Sequence, residues 1–155
     1  MSTMSPLLKA LPDEGRERLM ALSRERDFTA GTRIFEEDHR AKKFWIIRTG
    51  AVDLDLHVPG QRAVVVESLG PGALLGWSWL FAPHTWHLGA QAATPVRAVE
   101  FDAAQVLALC EEDPVFGQAL TRCIAEVIAH RLQSARHGLL DRTTSATAPS
   151  RDPAR

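Results

Sequence analysis

Apolar and polar positions along the chain follow two periods, a helical one at both ends and an alternating one between them. Near the start, Ser5-Pro6 sets a capping side chain before a proline at the first helical position, and Leu7, Leu8 and Leu11 supply one apolar turn. Asp13 is expected to cap a second helix with Leu19, Met20 and Leu22 on one side. Its charge run, Arg16-Glu17-Arg18 with Arg24-Glu25-Arg26, reads as a solvated face. From Phe28 the period shortens, with a turn at Ala30-Gly31 and a short strand over Arg33-Ile34-Phe35-Glu36. The clearest strand is Val52 to Val58, in which Val52, Leu54, Leu56 and Val58 alternate with Asp53, Asp55 and His57, so one face is core and one is wet. Pro59-Gly60 turns the chain and Arg62 to Glu67 returns it as a hairpin partner. Phe44-Trp45-Ile46-Ile47 is a continuous apolar run that suits a strand buried on both faces, and Ala90 to Ala93 with Val96 to Phe101 add two more strands.

At Asp102 the helical period returns, with Asp102 as cap, Gln105 three residues on, and Val106, Leu107 and Leu109 forming a short helix. Asp113-Pro114 opens another, proline-free to about Leu140, whose stripe runs through Leu120, Ile124, Val127 and Ile128 to Leu132, Ala135 and Leu139. At ~1.5 Å per residue it reaches roughly 40 Å, longer than the small barrel it must cover. Part of its apolar face therefore needs another partner, and a second copy of the helix is the simplest. The dimer face is assigned to Leu120, Ile124, Val127, Ile128, Arg131 and Leu132. Residues 142–155 carry almost no apolar bulk and read as a disordered polar tail.

Many short strands between helices predict a mainly β fold with α: a double-stranded β-helix, or jelly-roll-like β-roll, flanked by N-terminal helices and a long C-terminal helix. The 155 residues, 45% of them apolar, suffice for one core, placed at residues 1–141. A formal charge of −1 gives no basic field of the kind that drives phosphate-backbone binding, so no nucleic acid is expected as a partner. No signal peptide or membrane span is evident, which makes the chain an expected cytoplasmic protein with no membrane partner.

Chemistry concentrates between Gly70 and Ala90. Glycines at Gly70, Gly72 and Gly76 bracket a short apolar run, and three of the four tryptophans, Trp77, Trp79 and Trp86, lie here. Ser78 sits in Gly76-Trp77-Ser78-Trp79-Leu80, which is not a nucleophile elbow, and no enzyme is expected. The histidines His39, His57, His84, His87, His130 and His137 lack metal-ligand spacing, and Cys110 and Cys123 read as helical core thiols, so neither metal nor cofactor is expected. A small cupin-like metalloenzyme is the weakest alternative.

The segments Gly31-Thr-Arg-Ile-Phe-Glu-Glu, Phe44-Trp-Ile-Ile-Arg-Thr-Gly-Ala-Val-Asp-Leu, Leu69-Gly-Pro-Gly-Ala-Leu-Leu-Gly and Ile128-Ala-His-Arg-Leu, in this order, resemble the cyclic-nucleotide-binding domain of the catabolite-activator and FNR-like superfamily over about residues 7 to 140. The resemblance implies that Gly72 through Ala90 is a phosphate-binding cassette. It implies a ligand site among Gly72, Leu75, Gly76, Trp77, Ser78, Trp79, Trp86, His87, Leu88, Gly89 and Ala135. The family's ribose-binding glutamate falls on Trp77 and its phosphate-binding arginine on His87, so both charged contacts are replaced. The three tryptophans either line the pocket or plug it, and an extended stretch would set Trp77 and Trp79 on one side where a helical turn would separate them. No helix-turn-helix domain is expected after the long helix. The expectation is a stand-alone regulatory or sensor module that binds cyclic AMP and cyclic GMP weakly at most and signals through the long helix to a homodimer or protein partner. It would take another small-molecule effector or none; a purely structural subunit and a weak anion binder are the alternatives.

Overall fold

A computed structural model describes residues 5–147. Two short helices, α1 (Pro6–Lys9) and α2 (Asp13–Ala21), precede eight strands: β1 (Arg24–Phe28), β2 (Arg33–Phe35), β3 (Lys43–Thr49), β4 (Val52–Leu56), β5 (Val64–Leu69), β6 (Leu74–Leu75), β7 (Gly89–Ala92) and β8 (Val96–Asp102). Helices α3 (Ala103–Glu112) and α4 (Pro114–Thr147) follow the strands among the described residues. The strands form two antiparallel four-stranded sheets, ordered β1-β8-β3-β6 and β2-β7-β4-β5. This is the jelly-roll arrangement expected from the sequence, with its helices at both ends.

Phe44, Trp45, Ile46 and Ile47 are all buried, because β3 lies between β8 and β6 in one sheet with core on both faces. Successive side chains alternate faces, so Phe44 and Trp45 serve two different aromatic groups. Phe44 stacks on Trp79 at 4.6 Å and on Phe101 at 4.7 Å. Trp45 stacks on Phe35 of the opposite sheet at 5.8 Å, which places that group inside the roll.

Several local expectations are corrected. Arg24-Glu25-Arg26 is not helix surface but edge strand β1, paired with β8. Four of its five residues are exposed, and charge is a usual protection for a sheet edge. The inner reason for the arginines is Glu100 of β8, only 2% exposed, which accepts from the Trp45 indole at 3.0 Å. Arg26, Lys43 and Arg24 surround it at 3.3, 3.3 and 3.8 Å. Asp13 is the first residue of α2 rather than its cap, and Ser5 does not cap α1. The Ser5 hydroxyl instead donates to the Gly72 carbonyl at 2.9 Å, fastening the N-terminus to the glycine-rich turn. In β4 the alternation holds for Val52 and Leu54 and then fails. A register shift between Leu54 and Asp55 accompanies burial of Asp55, which takes two hydrogen bonds from Arg33, while Leu56 is exposed.

Asp102 does cap α3, its Oδ1 accepting from the Gln105 amide at 3.1 Å. Asp102→Ala should lower stability by about 1 kcal/mol, visible as a Tm lower by roughly 2–4 °C. An unchanged Tm would remove the cap from the account.

Helix α4 has 34 residues, roughly 50 Å, and continues to Thr147, into the segment read as polar tail. Residues 148–155 of that tail lie outside the described residues, as does the side chain of Leu139. The assigned dimer face is also revised. Leu120 and Ile124 are fully buried in this chain's own core, and Val127 and Ile128 are half-buried against it. Of the six residues assigned, Leu132 is the exposed one, at 70%. The reason is that the first turns of α4 lie on α3 and the roll, so the stripe changes from core to surface along the helix. Among the described residues no helix is long and apolar enough to cross a membrane.

Candidate functional site

The glycine-rich turn sets the site. Gly72 has φ +87° and its amide donates to the Ile47 carbonyl at 2.7 Å, bringing the chain back alongside β3 as β6. Gly76 follows with φ +94°, and a Cβ there would lie 2.8 Å from the Trp86 ring, so both conformation and space require glycine. Trp77 then leads into a single 3-10 turn, Ser78–Leu80. That turn separates the tryptophans. Trp79 points into the core against Phe44 and donates to the Gly76 carbonyl at 3.3 Å, whereas Trp77 stays half-exposed and stacks on His87 at 5.2 Å.

Trp86 is buried and stacks on Phe35 at 3.8 Å. Its backbone is held on both sides, the amide donating to the His39 carbonyl and the carbonyl accepting from the Asp38 amide, each at 2.9 Å. The indole therefore projects from a fixed strand-like segment into the roll. Beyond it, Ser78 Oγ lies 3.2 Å from His87 Nδ1. Arg131 reaches in from α4 and donates to the Leu74 carbonyl of β6. Burial pushes the Arg131 guanidinium below its ordinary pKa, opposed by the charge of Glu67.

Together Phe35, Leu54, Gly76, Trp77, Ser78, Trp86, His87, Leu88 and Arg131 line a half-open cavity of about 40 Å³. Of the residues assigned to a ligand site, six line it: Gly76, Trp77, Ser78, Trp86, His87 and Leu88. The other five do not. Trp79 and Leu75 are core, Leu75 paired with Trp45 in the sheet. Gly72 belongs to the turn beside α1, and Gly89 opens β7 against the Arg33–Asp55 pair. Ala135 is exposed on α4, one turn beyond the residue that does enter, Arg131. Arg131 had been placed on the dimer face. Its spacing of seven from Ile124 and three from Ile128 puts it on the buried side of the helix, a signal present in the sequence.

A larger, open groove of about 660 Å³ runs between α3 and α4, with Leu80, Leu107, Cys110, Pro114, Gly117 and Thr121 among its lining. Besides Leu80 of the cassette segment and Thr121, its lining takes in the polar side chains of Glu111, Gln118 and Arg122. Among the described residues, no three His, Cys, Asp or Glu side chains are placed to hold a metal ion. Burial pushes both cysteine thiols up in pKa, with nearby acidic residues adding to the effect, which suits inert core thiols.

Residues 25–113, more than half of the chain, match the model of the cyclic nucleotide-binding domain. A CRP-like cAMP-activated global transcriptional regulator of Mycobacterium tuberculosis is 28% identical over 115 residues, which are 74% of this chain and 50% of the regulator. The chain thus spans about half the length of the curated relatives it matches. A provisionally named cyclic nucleotide-binding protein from Geobacter metallireducens superposes with a TM-score of 0.73 at 29% identity, covering 83% of this chain and 92% of that one. The catabolite activator protein of Thermus thermophilus has the same fold, with a TM-score of 0.71 at 24% identity over 87% of this chain and 62% of that one. With the two-sheet roll, the glycine-framed turn and the long C-terminal helix, the family match places the chain in the cyclic nucleotide-binding domain family.

Proposed function

We propose that this chain is a regulatory module in which the nucleotide space of the roll is filled by its own side chains, so that it binds cyclic AMP and cyclic GMP weakly at most. The observation that carries the reading is Trp86, clamped through its backbone and stacked on Phe35 at 3.8 Å, with a cavity of only about 40 Å³ left beside it. Sites for small molecules measure roughly 300–1,000 Å³. Trp77 and His87, which stand where the family resemblance puts a glutamate and an arginine, occupy each other by stacking. Titration calorimetry with both cyclic nucleotides is the test, and no binding in the low-micromolar range is expected.

The output route is α4. Its Arg131 touches β6 through the Leu74 carbonyl and lines the same cavity as Trp77 and His87, so a change in the cassette is felt by the helix. The helix then acts on a second copy or a protein partner through its exposed part, where Leu132 and Leu140 are uncovered. Sedimentation at micromolar concentration should show a dimer, and Leu132→Glu should shift it toward monomer with an association at least about tenfold weaker. A monomeric wild type would refute this route.

The filled pocket also favours a second reading, a structural subunit with no effector. A thermal-shift screen separates the two, since a small molecule that raises Tm in the wild type and not in Trp77→Ala supports the sensor.

A further inference from the structure

We infer that the groove between α3 and α4 receives the distal half of α4 from a second copy of the chain, the two long helices running antiparallel so that each copy gives one ridge and takes one. The inference rests on the proposed association through α4 and names the two surfaces that meet. Groove wall and ridge share one face of one helix. Gly117, Thr121 and Ala125, spaced four residues apart, form the α4 side of the groove. Leu132 follows Ala125 by seven residues, and Arg136 and Leu140 come at two further steps of four. At ~3.6 residues per turn all three stay on that side of the helix, away from Leu120 and Ile124 in the core.

The ridge is uncovered, with Leu132 70% and Leu140 55% exposed. It cannot fold back onto its own groove, because α4 is one continuous helix from Pro114 to Thr147. Only another copy brings the two together. The ridge from Leu132 to Leu140 and the wall from Gly117 to Ala125 each measure about 12 Å. An antiparallel two-fold sets Leu132 over Ala125, Arg136 over Thr121 and Leu140 over Gly117 of the other copy, so a long side chain meets a short one at every step. Leu80, Leu107 and Pro114 give the groove of about 660 Å³ its apolar lining, against which the leucines leave water. The same contact is made twice, which closes the pair.

Charge agrees with this orientation. Glu112 and Asp113 at the end of α3 are held by Arg18. Glu111, which lines the groove, and Arg136 on the ridge have no ion pair among the described residues, and docking brings them to the same place. A parallel pairing through this face would instead set Arg122 beside Arg122 and Arg136 beside Arg136, which like-charge repulsion opposes.

The test traps the contact in the full chain. Leu140→Cys carries a thiol to Gly117 of the other copy, and Gly117 packs directly on the native Cys110, whose Cβ would lie 3.0 Å from a Cβ added there. Oxidation with diamide at mildly alkaline pH, which the raised pKa of Cys110 calls for, should join Cys110 to the thiol introduced at position 140, as located by peptide mass mapping. Within one chain those points are roughly 35 Å apart along α4, so the disulfide joins two copies. Ala125→Arg, at an exposed position, should weaken the dimer about tenfold or more in sedimentation with an unchanged circular dichroism spectrum. A dimer that Ala125→Arg leaves as strong as wild type, or a cross-link formed only between two introduced thiols, overturns the groove contact while association through α4 stands. A monomeric wild type defeats both.

Discussion

Trp79→Ala should lower the stability of the domain by about 3–5 kcal/mol, the range for removing a large aromatic from a core. Trp79 is 1% exposed, stacks on Phe44, and through Phe44 is continuous with Phe101. It also satisfies the Gly76 carbonyl through its indole N–H. The substitution removes the apolar contact, leaves a cavity, and frees a carbonyl next to the glycine whose conformation sets the cassette. Against a usual total of about 5–15 kcal/mol, such a loss brings the protein close to unfolding at physiological temperature. Chemical denaturation should show the midpoint falling sharply with little change in slope. A variant within ~1 kcal/mol of wild type would mean that Trp79 belongs to a ligand site and not to the core.

The second large effect concerns cyclic nucleotide. A hydrogen bond to a charged group contributes roughly 1.5–3 kcal/mol, so on the proposal that Trp77 and His87 stand in place of two such contacts the loss should be about 3–6 kcal/mol. That is on the order of two to four decades, and it moves a site of about 1 μM to roughly 100 μM or weaker. Trp86 should add to the loss under the same proposal, since its backbone is fixed on both sides and its ring stacks on Phe35. Trp86→Ala should therefore enlarge the cavity without restoring the charged contacts, and cyclic nucleotide affinity should remain weak in that variant also.

The fold was legible because its signals were periodic. The apolar run Phe44 to Ile47 marked a central strand, and Asp102 and Asp113-Pro114 marked helix starts at the places where the helices begin. Strand β1 was not legible, since an edge strand of Arg24, Glu25, Arg26 and Asp27 carries charge on both faces and shows no alternation of apolar and polar residues. Its partner is a single buried carboxylate, Glu100, some 75 residues away in the chain, and no local pattern announces that pairing.

The site was half legible for a different reason. Glycines at Gly72 and Gly76 announced a cassette-like turn, but whether Trp77 and Trp79 share a side depends on one 3-10 turn that either conformation of the sequence would permit. Arg131 was missed because charge suggests surface, although its helical spacing from Ile124 and Ile128 already put it on the inward face. Phe35 was likewise read only as part of a strand, and it stacks on Trp86 at 3.8 Å.

Whether the roll admits cyclic nucleotide is decided by direct titration. Titration calorimetry of the wild-type chain with cyclic AMP and cyclic GMP should give no saturable heat below about 100 μM. A dissociation constant in the low-micromolar range for either nucleotide would show that Trp86 yields its place to the ligand and that the roll is open to cyclic nucleotide.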